Sequence, residues 1–437
     1  LAIAKRLSLI LFCAVSAVWA EVHTLTLKQA LDIAARQNPD VLLARLDEQR
    51  AREQITIARD PFRPKMLASS DAVYTSGYPN SINGDSPHIL GARMDMSFYN
   101  RPRRLEVDEV KAQATGSQFA TQEKIDDVAY QITTLFLNAQ DVAGEVKRVQ
   151  DQLSSEMAIA NVVTSSVNAG YKLPVDRTRA NVDVAAAQQH LEATRADQAD
   201  AESQLAIALG FSGNDSVHPS GSPDQLDWQP PKSESDALEL AFERNKQLPQ
   251  LQSGLLARQI EMASAKAARR PEIDLVAQYT LLTKRDYQDY FPANSIQRNN
   301  GQIGASIALP ILLGSAPAGH WGQAQADFVK LRIQIDQLRN RILSGVHRSY
   351  QQLHKAQSAL QVARQRLDLA NSDLEVIHTQ FAQGRALLSQ VDQARLTSNE
   401  DSLLVWQDEV NIRRAQLDIM HQIGDLMSSL SQNRSQP

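Results

Sequence analysis

The stretch Thr26-Leu-Lys-Gln-Ala-Leu-Asp-Ile-Ala34, running on to Asn38, returns as Ser233-Glu-Ser-Asp-Ala-Leu-Glu-Leu-Ala241, running on to Asn245. The same offset of 207 carries Pro64 onto Pro271; further along it becomes 214 and carries Gly170 onto Gly384 and Gly210 onto Gly424. The chain is therefore an internal duplication. Its first repeat covers 21–210, a linker rich in Ser, Pro, Gly and Asp covers 211–232, the second repeat covers 233–430, and a polar tail covers 431–437. About seven extra residues in the second copy fit a surface loop. Both copies open like helices: Thr26 with Gln29, and Ser233 with Asp236, place a hydroxyl at the N-cap and an acceptor three residues on.

Composition narrows the field. The 437 residues carry 45 Lys plus Arg against 50 Asp plus Glu, a net charge of −5, which argues against a protein that grips nucleic acid through basic groups. Residues 1–20 combine Lys5 and Arg6, an apolar core from Leu7 to Val18 and a small residue at Ala20, the pattern of a cleavable secretory signal peptide. The single cysteine, Cys13, lies inside that core, so disulfide frameworks, thiolate zinc sites and cysteine nucleophiles are all unsupported. After Val18 the longest apolar run, Ile307 to Gly314, falls far short of the 18 or so residues of a spanning helix. A membrane span in this chain must be built from strands.

Two periodicities alternate in each repeat. Ile125, Val128, Ile132, Leu135, Ala139, Val142, Val146, Val149 and Leu153 step by three and four, a coiled-coil seam. Leu360, Ala363, Leu367, Ala370, Leu374, Ile377 and Phe381 repeat it in the second copy, with a stutter near Ile342 and Val346. No proline interrupts 103–167 or 318–382, so each is expected to be one helix about 100 Å long. Further long helices are expected at 174–209 and 388–430.

Strands are expected at 65–75, 89–98, 272–282 and 302–311, where residues alternate with period two. Ser69, Asp71, Arg93, Asp95, Asp274, Gln278 and Gln302 fall on one face, against Met66, Leu90, Met94, Ile273, Leu275, Ile303 and Ile307 on the other. About ten tilted residues cover roughly 23 Å, the height of an outer-membrane barrel band. A soluble sheet with one wet face gives the same alternation in any single strand. Prolines (Pro64, Pro102, Pro271 and the stretch from Pro310 to Pro317) separate strands from helices, and Arg63, Lys65, Arg101, Arg103, Arg104, Arg269 and Arg270 cluster at the junctions, where a membrane reading has them snorkel toward lipid phosphates at one interface and makes outer-membrane lipid a partner. Four strands cannot close, so a membrane reading requires several chains in one barrel.

Catalytic signals are weak. Glu375 and His378 have the spacing of a di-iron helix, but such a site needs two copies plus two further Glu in one core, and the corresponding first-copy stretch offers no His. His347 and His354 have no evident third ligand, and no nucleophile elbow, metalloprotease motif or phosphate loop occurs. We therefore expect no enzyme, no metal and no cofactor. The rival to a channel is a soluble periplasmic coiled-coil adaptor or scaffold.

Taken together, the duplicated Ala-Leu-x-x-Ala opening, the Asn38-Pro39 and Asn245 positions, two strand pairs set between long helices, and the tips Asn168-Ala-Gly170 and Ala382-Gln-Gly384 resemble the TolC-type outer membrane factor family. The resemblance implies a mainly α fold with a small β portion. Long antiparallel helices form a tube, and four strands per chain contribute to a 12-stranded β-barrel in a homotrimer. It implies a passive duct through the outer membrane of a Gram-negative bacterium, with a long periplasmic extension, serving a tripartite efflux pump or type I secretion system. Implied partners are a periplasmic adaptor (membrane fusion protein) and an inner-membrane RND or ABC pump. Asp176 matches the family's acidic entrance position, whereas at the second tip Gln390 stands in its place and the acid is displaced to Asp392; Arg385 is a candidate partner for Asp176. Adaptor docking is expected at Val167, Gly170, Phe381 and Gly384, the alternative being that these glycines only shape the turn.

Overall fold

The computed structural model describes residues 22–71, 88–220, 230–282, 297–424 and 426. The signal at 1–20 and the tail at 431–437 lie outside the described residues. The chain is mainly helical with two small sheets, and it divides into two compact units.

One unit comprises Leu1–Leu42, Ile125–Lys232 and Arg348–Pro437. Strand β1 (Val22–Leu25) leads into helix α1 (Leu27–Gln37), whose start is sealed by reciprocal bonds: the Gln29 N–H donates to Thr26 Oγ1 and the Thr26 N–H to Gln29 Oε1. Leu27, Ala30, Leu31 and Ala34 form the buried stripe that the helical period dictates. Asn38 then starts α2 (Pro39–Arg59) by accepting from the backbone of Asp40 and Val41; Asn245 repeats this by accepting from Leu248. The core joins α1 to α3 (Arg101–Asn168), α4 (Pro174–Leu209) and α8 (Leu388–Ile423) through Ile132, Phe136, Leu205, Leu209 and Leu417. The α3 seam residues Val128, Ile132, Ala139 and Val149 are buried, but so are Ala129, Phe136 and Leu137 beside them. At this level α3 packs within a helix cluster, not as one strand of a two-helix coil.

The expected linker at 211–232 requires correction. Within it, β4 (Ser216–Pro219) pairs in parallel with β1, and His23 stacks on Phe211 at 4.5 Å. Val217 is fully buried, which gives this polar stretch its anchor. The turn before it depends on Gly210 at φ +90°, where a Cβ would lie 2.9 Å from the Gln37 carbonyl oxygen, so both conformation and space demand glycine.

The other unit comprises Leu43–Lys124 and Ser233–His347. It holds α5 (Glu234–Arg244), α6 (Gln247–Ala267) and a four-stranded antiparallel sheet of β2 (Lys65–Asp71), β3 (His88–Tyr99), β5 (Glu272–Leu282) and β6 (Asn299–Ala308), in the order β2-β3-β5-β6. The part of the first expected strand beyond Asp71 lies outside the described residues. The fourth strand runs three residues earlier than expected at each end. Its ladder stops where Ala308 meets Glu272, before Pro310, which has no N–H to offer. Helix α7 spans Ala316–Ala382. Helix α8 spans Leu388–Ile423 and is capped by Gly424 at φ +73°; most of the expected helix beyond it, to 430, lies outside the described residues.

Candidate functional site

Two regions collect the residues singled out in the sequence. The first is the four-stranded sheet, where register turns alternation along single strands into rows across all four. Met66, Met94, Ala277 and Ile303 are cross-strand neighbours in one apolar row. The adjoining row is Leu67, Arg93, Gln278 and Gln302; the next polar rows are Lys65, Asp95, Val276, Gly304 and Ser97, Asp274, Ser306. Met96, Leu275 and Ala305 form the other apolar row between them. Leu67 and Val276 are the exceptions on the polar face.

Side-chain contacts agree with this division. Arg93 Nε donates to Asp95 Oδ1 at 2.9 Å, as residues two apart on one strand face can. Ser69 Oγ and His88 Nε2 lie 2.9 Å apart on the same face, across a bulge that lets the register skip a residue. Asp71 ends β2 opposite His88. On the other face Ile303 is 89% and Met66 77% exposed, a degree of apolar exposure that a soluble sheet would bury. Leu90 and Ile307 are likewise exposed, and Ile273 and Leu275 half-buried. Both sheet edges, β2 and β6, have no strand partner among the described residues.

The second region is a pair of helical tips. Helix α3 ends in a glycine cap: the Gly170 N–H donates to Val167 O and the Tyr171 N–H to Ser166 O. Helix α7 ends identically, Gly384 donating to Phe381 O and Arg385 to Gln380 O. Gly170 (φ +78°) and Gly384 (φ +71°) hold the left-handed conformation this cap requires, and a Cβ on either would meet nothing within 4 Å. Val167 packs against the small core of Ala160, Val163 and Ala180 that clamps the first hairpin, whereas Phe381 is 40% exposed.

Beyond each turn the acceptor six residues on closes the next helix. Asp176 Oδ2 accepts from the Leu173 N–H at 3.1 Å, and Gln390 Oε1 accepts from the Leu387 N–H at 2.8 Å. Arg385 is exposed and forms no ion pair with Asp176 among the described residues. Asp392 is placed differently. Burial raises its pKa, Lys172 opposes this, and Asp183 raises it further. Glu156 is also raised, by burial first and then by Asp183. Lys172, Glu156, Asp183 and Arg395 thus share one charged cluster with Asp392 across α3, the turn before α4, α4 and α8, which residue spacing alone did not reveal.

The candidate metal residues do not assemble. Glu375 and His378 are exposed on one helix, His354 is exposed, and His347 pairs with Glu234 at 2.9 Å. Among the described residues no group of three or more His, Cys, Asp or Glu is placed to hold a metal ion, and no helix is long and apolar enough to cross a membrane.

A duplicated mainly helical chain carrying one exposed, two-faced sheet defines the class. The outer membrane efflux protein family profile matches residues 30–211 and again 237–424, so the chain belongs to that family and the duplication is its own. It is 25% identical over 423 residues to the outer membrane protein TolC of Escherichia coli strain K12, covering 92% of this chain and 82% of TolC. Among solved structures, a membrane protein from Pseudomonas aeruginosa matches with TM-score 0.74 at 16% identity, covering 91% of this chain and 92% of that one. The outer membrane protein VceC from Vibrio cholerae matches with TM-score 0.72 at 13% identity, covering 91% and 96%. The protein is thus an outer-membrane efflux channel protein, not an enzyme, and the soluble scaffold reading is set aside.

Proposed function

We propose that three copies of this chain close their sheets into one 12-stranded barrel and form a passive duct from periplasm to exterior. The observation that carries this reading is the cross-strand register: a soluble sheet needs one buried face, while here the apolar row of Met66, Met94 and Ile303 keeps Met66 and Ile303 exposed, with Met94 half-buried between them, beside polar rows. Pairing β6 of one copy with β2 of the next removes every open edge. Two copies would give eight strands, whose interior is filled by side chains, whereas twelve leave a lumen. Ser69, Asp71, Arg93, Asp95, Asp274, Gln278 and Gln302 line that lumen.

The tips form the periplasmic entrance, with Asp176, Arg385, Gln390 and Asp392 nearest the opening. Membership in an efflux family favours service in a tripartite pump, with an adaptor docking at the exposed glycine turns beside Val167 and Phe381 and an inner-membrane pump behind it. Crosslinking in native membranes tests the stoichiometry: a ladder ending at three is expected, and one ending at two refutes the trimer. Adaptor pull-down tests the tips: Gly170→Leu with Gly384→Leu is expected to keep the trimer and lose the adaptor. Retained binding and efflux in that variant leave the glycines with a turn-shaping role only.

A further inference from the structure

At one end of the sheet lie the start of β2, the end of β3, the start of β5 and the end of β6, fixed there by the pairs Lys65 with Asp95, Tyr99 with Ile273 and Glu272 with Ala308. This is the end where strands pass into helices, and it is crowded with cations. Arg63, Arg101, Arg103, Arg269 and Arg270 flank the junctions, and all but the half-buried Arg101 are exposed. None of the five has a carboxylate partner among the described residues; Asp60, the nearest acid in sequence, pairs with Lys65.

The same end carries an aromatic collar. Arg104 donates to the Phe98 carbonyl at 3.0 Å and lies over the rings of Phe62 and Tyr99 at 5.8 and 5.9 Å, while Lys266 lies 5.5 Å over Trp321. Phe98 is 58% exposed. Aromatic rings set beside long cationic side chains mark the level where a bilayer's hydrocarbon gives way to headgroups. Five unpaired guanidiniums at that level need anions, and planar N–H forks suit phosphate oxygens.

We propose that this arginine collar binds the phosphate groups of anionic phospholipids in the leaflet at the helix end of the sheet. The inference rests on the barrel reading above. Guanidiniums that already had carboxylate partners would gain little from lipid, whereas each unpaired cation near an anionic surface gains about fivefold in binding.

The test uses the full chain reconstituted into vesicles of phosphatidylethanolamine alone or of phosphatidylethanolamine with phosphatidylglycerol, comparing temperatures of trimer dissociation. Phosphatidylglycerol is expected to raise the wild-type midpoint by at least about 3 °C, with the difference shrinking in high salt. Replacing Arg63, Arg103, Arg269 and Arg270 with Gln is expected to abolish the difference while leaving the midpoint in phosphatidylethanolamine unchanged; replacing them with Lys is expected to retain it. Should the fourfold Gln variant fail to assemble, the pairs Arg63→Gln with Arg103→Gln and Arg269→Gln with Arg270→Gln are measured separately, each expected to lose part of the shift. An equal shift in wild type and Gln variants, or none in wild type, overturns the collar. Loss of the wild-type protein from vesicles under alkaline carbonate instead overturns the barrel reading beneath it.

Discussion

Arginine placed in the middle of the apolar row should cost most at one calculable depth. Strand β5 runs over 11 residues, Glu272–Leu282, and Ala277 is its centre; the register sets Met94 beside it. Five steps of about 3.3 Å at a tilt near 45° put Met94 about 12 Å from the helix end, half the height of a band about 25 Å tall. Met94→Arg should therefore destabilise each chain by about 2–4 kcal/mol, or about 6–12 kcal/mol over three copies. Leu275 sits two steps nearer the helix end and should cost less, and Ile307, paired with Ile273 one step from the strand start, about 0–1 kcal/mol. Gln278→Arg is the control: it lies one residue step from Met94 in depth but on the opposite face, so assembly should persist while conductance changes. Urea-driven trimer dissociation in lipid vesicles measures the series. Equal losses for Met94→Arg and Gln278→Arg, or a cost that rises from Met94 toward Ile307, would refute both the parity and the depth assignment.

Four further outcomes follow, centred on the helical regions. Gly170→Ala and Gly384→Ala should each lose about 1–2 kcal/mol from left-handed strain alone, since no neighbour obstructs the new Cβ, and Gly170→Asn should lose less; thermal melts rank the three. His421 is stacked on Tyr130 at 4.1 Å, and burial lowers its pKa against the pull of Asp127 and Asp418, so its neutral form is preferred in the fold. Stability should then fall as pH drops from about 7 through the lowered value, with a slope no steeper than about 1.4 kcal/mol per pH unit, and His421→Phe should flatten that slope. Asp141→Ala should cost about 1.5–3 kcal/mol because it removes the charged hydrogen-bond partner of the half-buried Arg413, 3.2 Å away, while Arg93→Ala, in an exposed pair, should cost at most about 1 kcal/mol. Asp176→Asn should keep the helix start and change only cation selectivity, whereas Asp176→Ala should also lose about 1 kcal/mol of stability, measured by conductance and melting on the same preparations.

What the sequence made legible is what period and offset can encode. Period two gave the strand faces, because a one-residue slip in any strand would have set Arg93 against Met94's row. The repeat offset gave Gly170 and Gly384 as equivalent turns before any coordinates. Long-range pairings were out of reach. Strands β1 and β4 have four residues each, too few to show alternation, and they meet across most of a repeat. The joint in which Asp141 takes Arg413 while Arg148 and Arg413 lie over Trp406 at 4.4 and 5.2 Å joins residues about 270 positions apart, and nothing in their spacing announces it. The cluster around Asp392 was missed for the same reason, since Lys172, Glu156 and Asp183 belong to the other repeat.

The duplication also separates two properties that one residue combines. Asp176 and Gln390 differ in charge, yet each accepts from the N–H three residues before it and so starts its helix in the same way. What both repeats retain is an acceptor of the right reach; charge is a property of the first tip alone at this position. In the second repeat the acid stands two residues on, at Asp392, where burial works against its ionisation and Lys172 supports it. The first tip thus places its carboxylate in the cap of its helix, while the second places its own among the charges of Lys172, Asp183 and Arg395. The two repeats therefore place their acids differently at the tips: Asp176 at an exposed helix start, Asp392 in a part-buried charged cluster where burial raises its pKa.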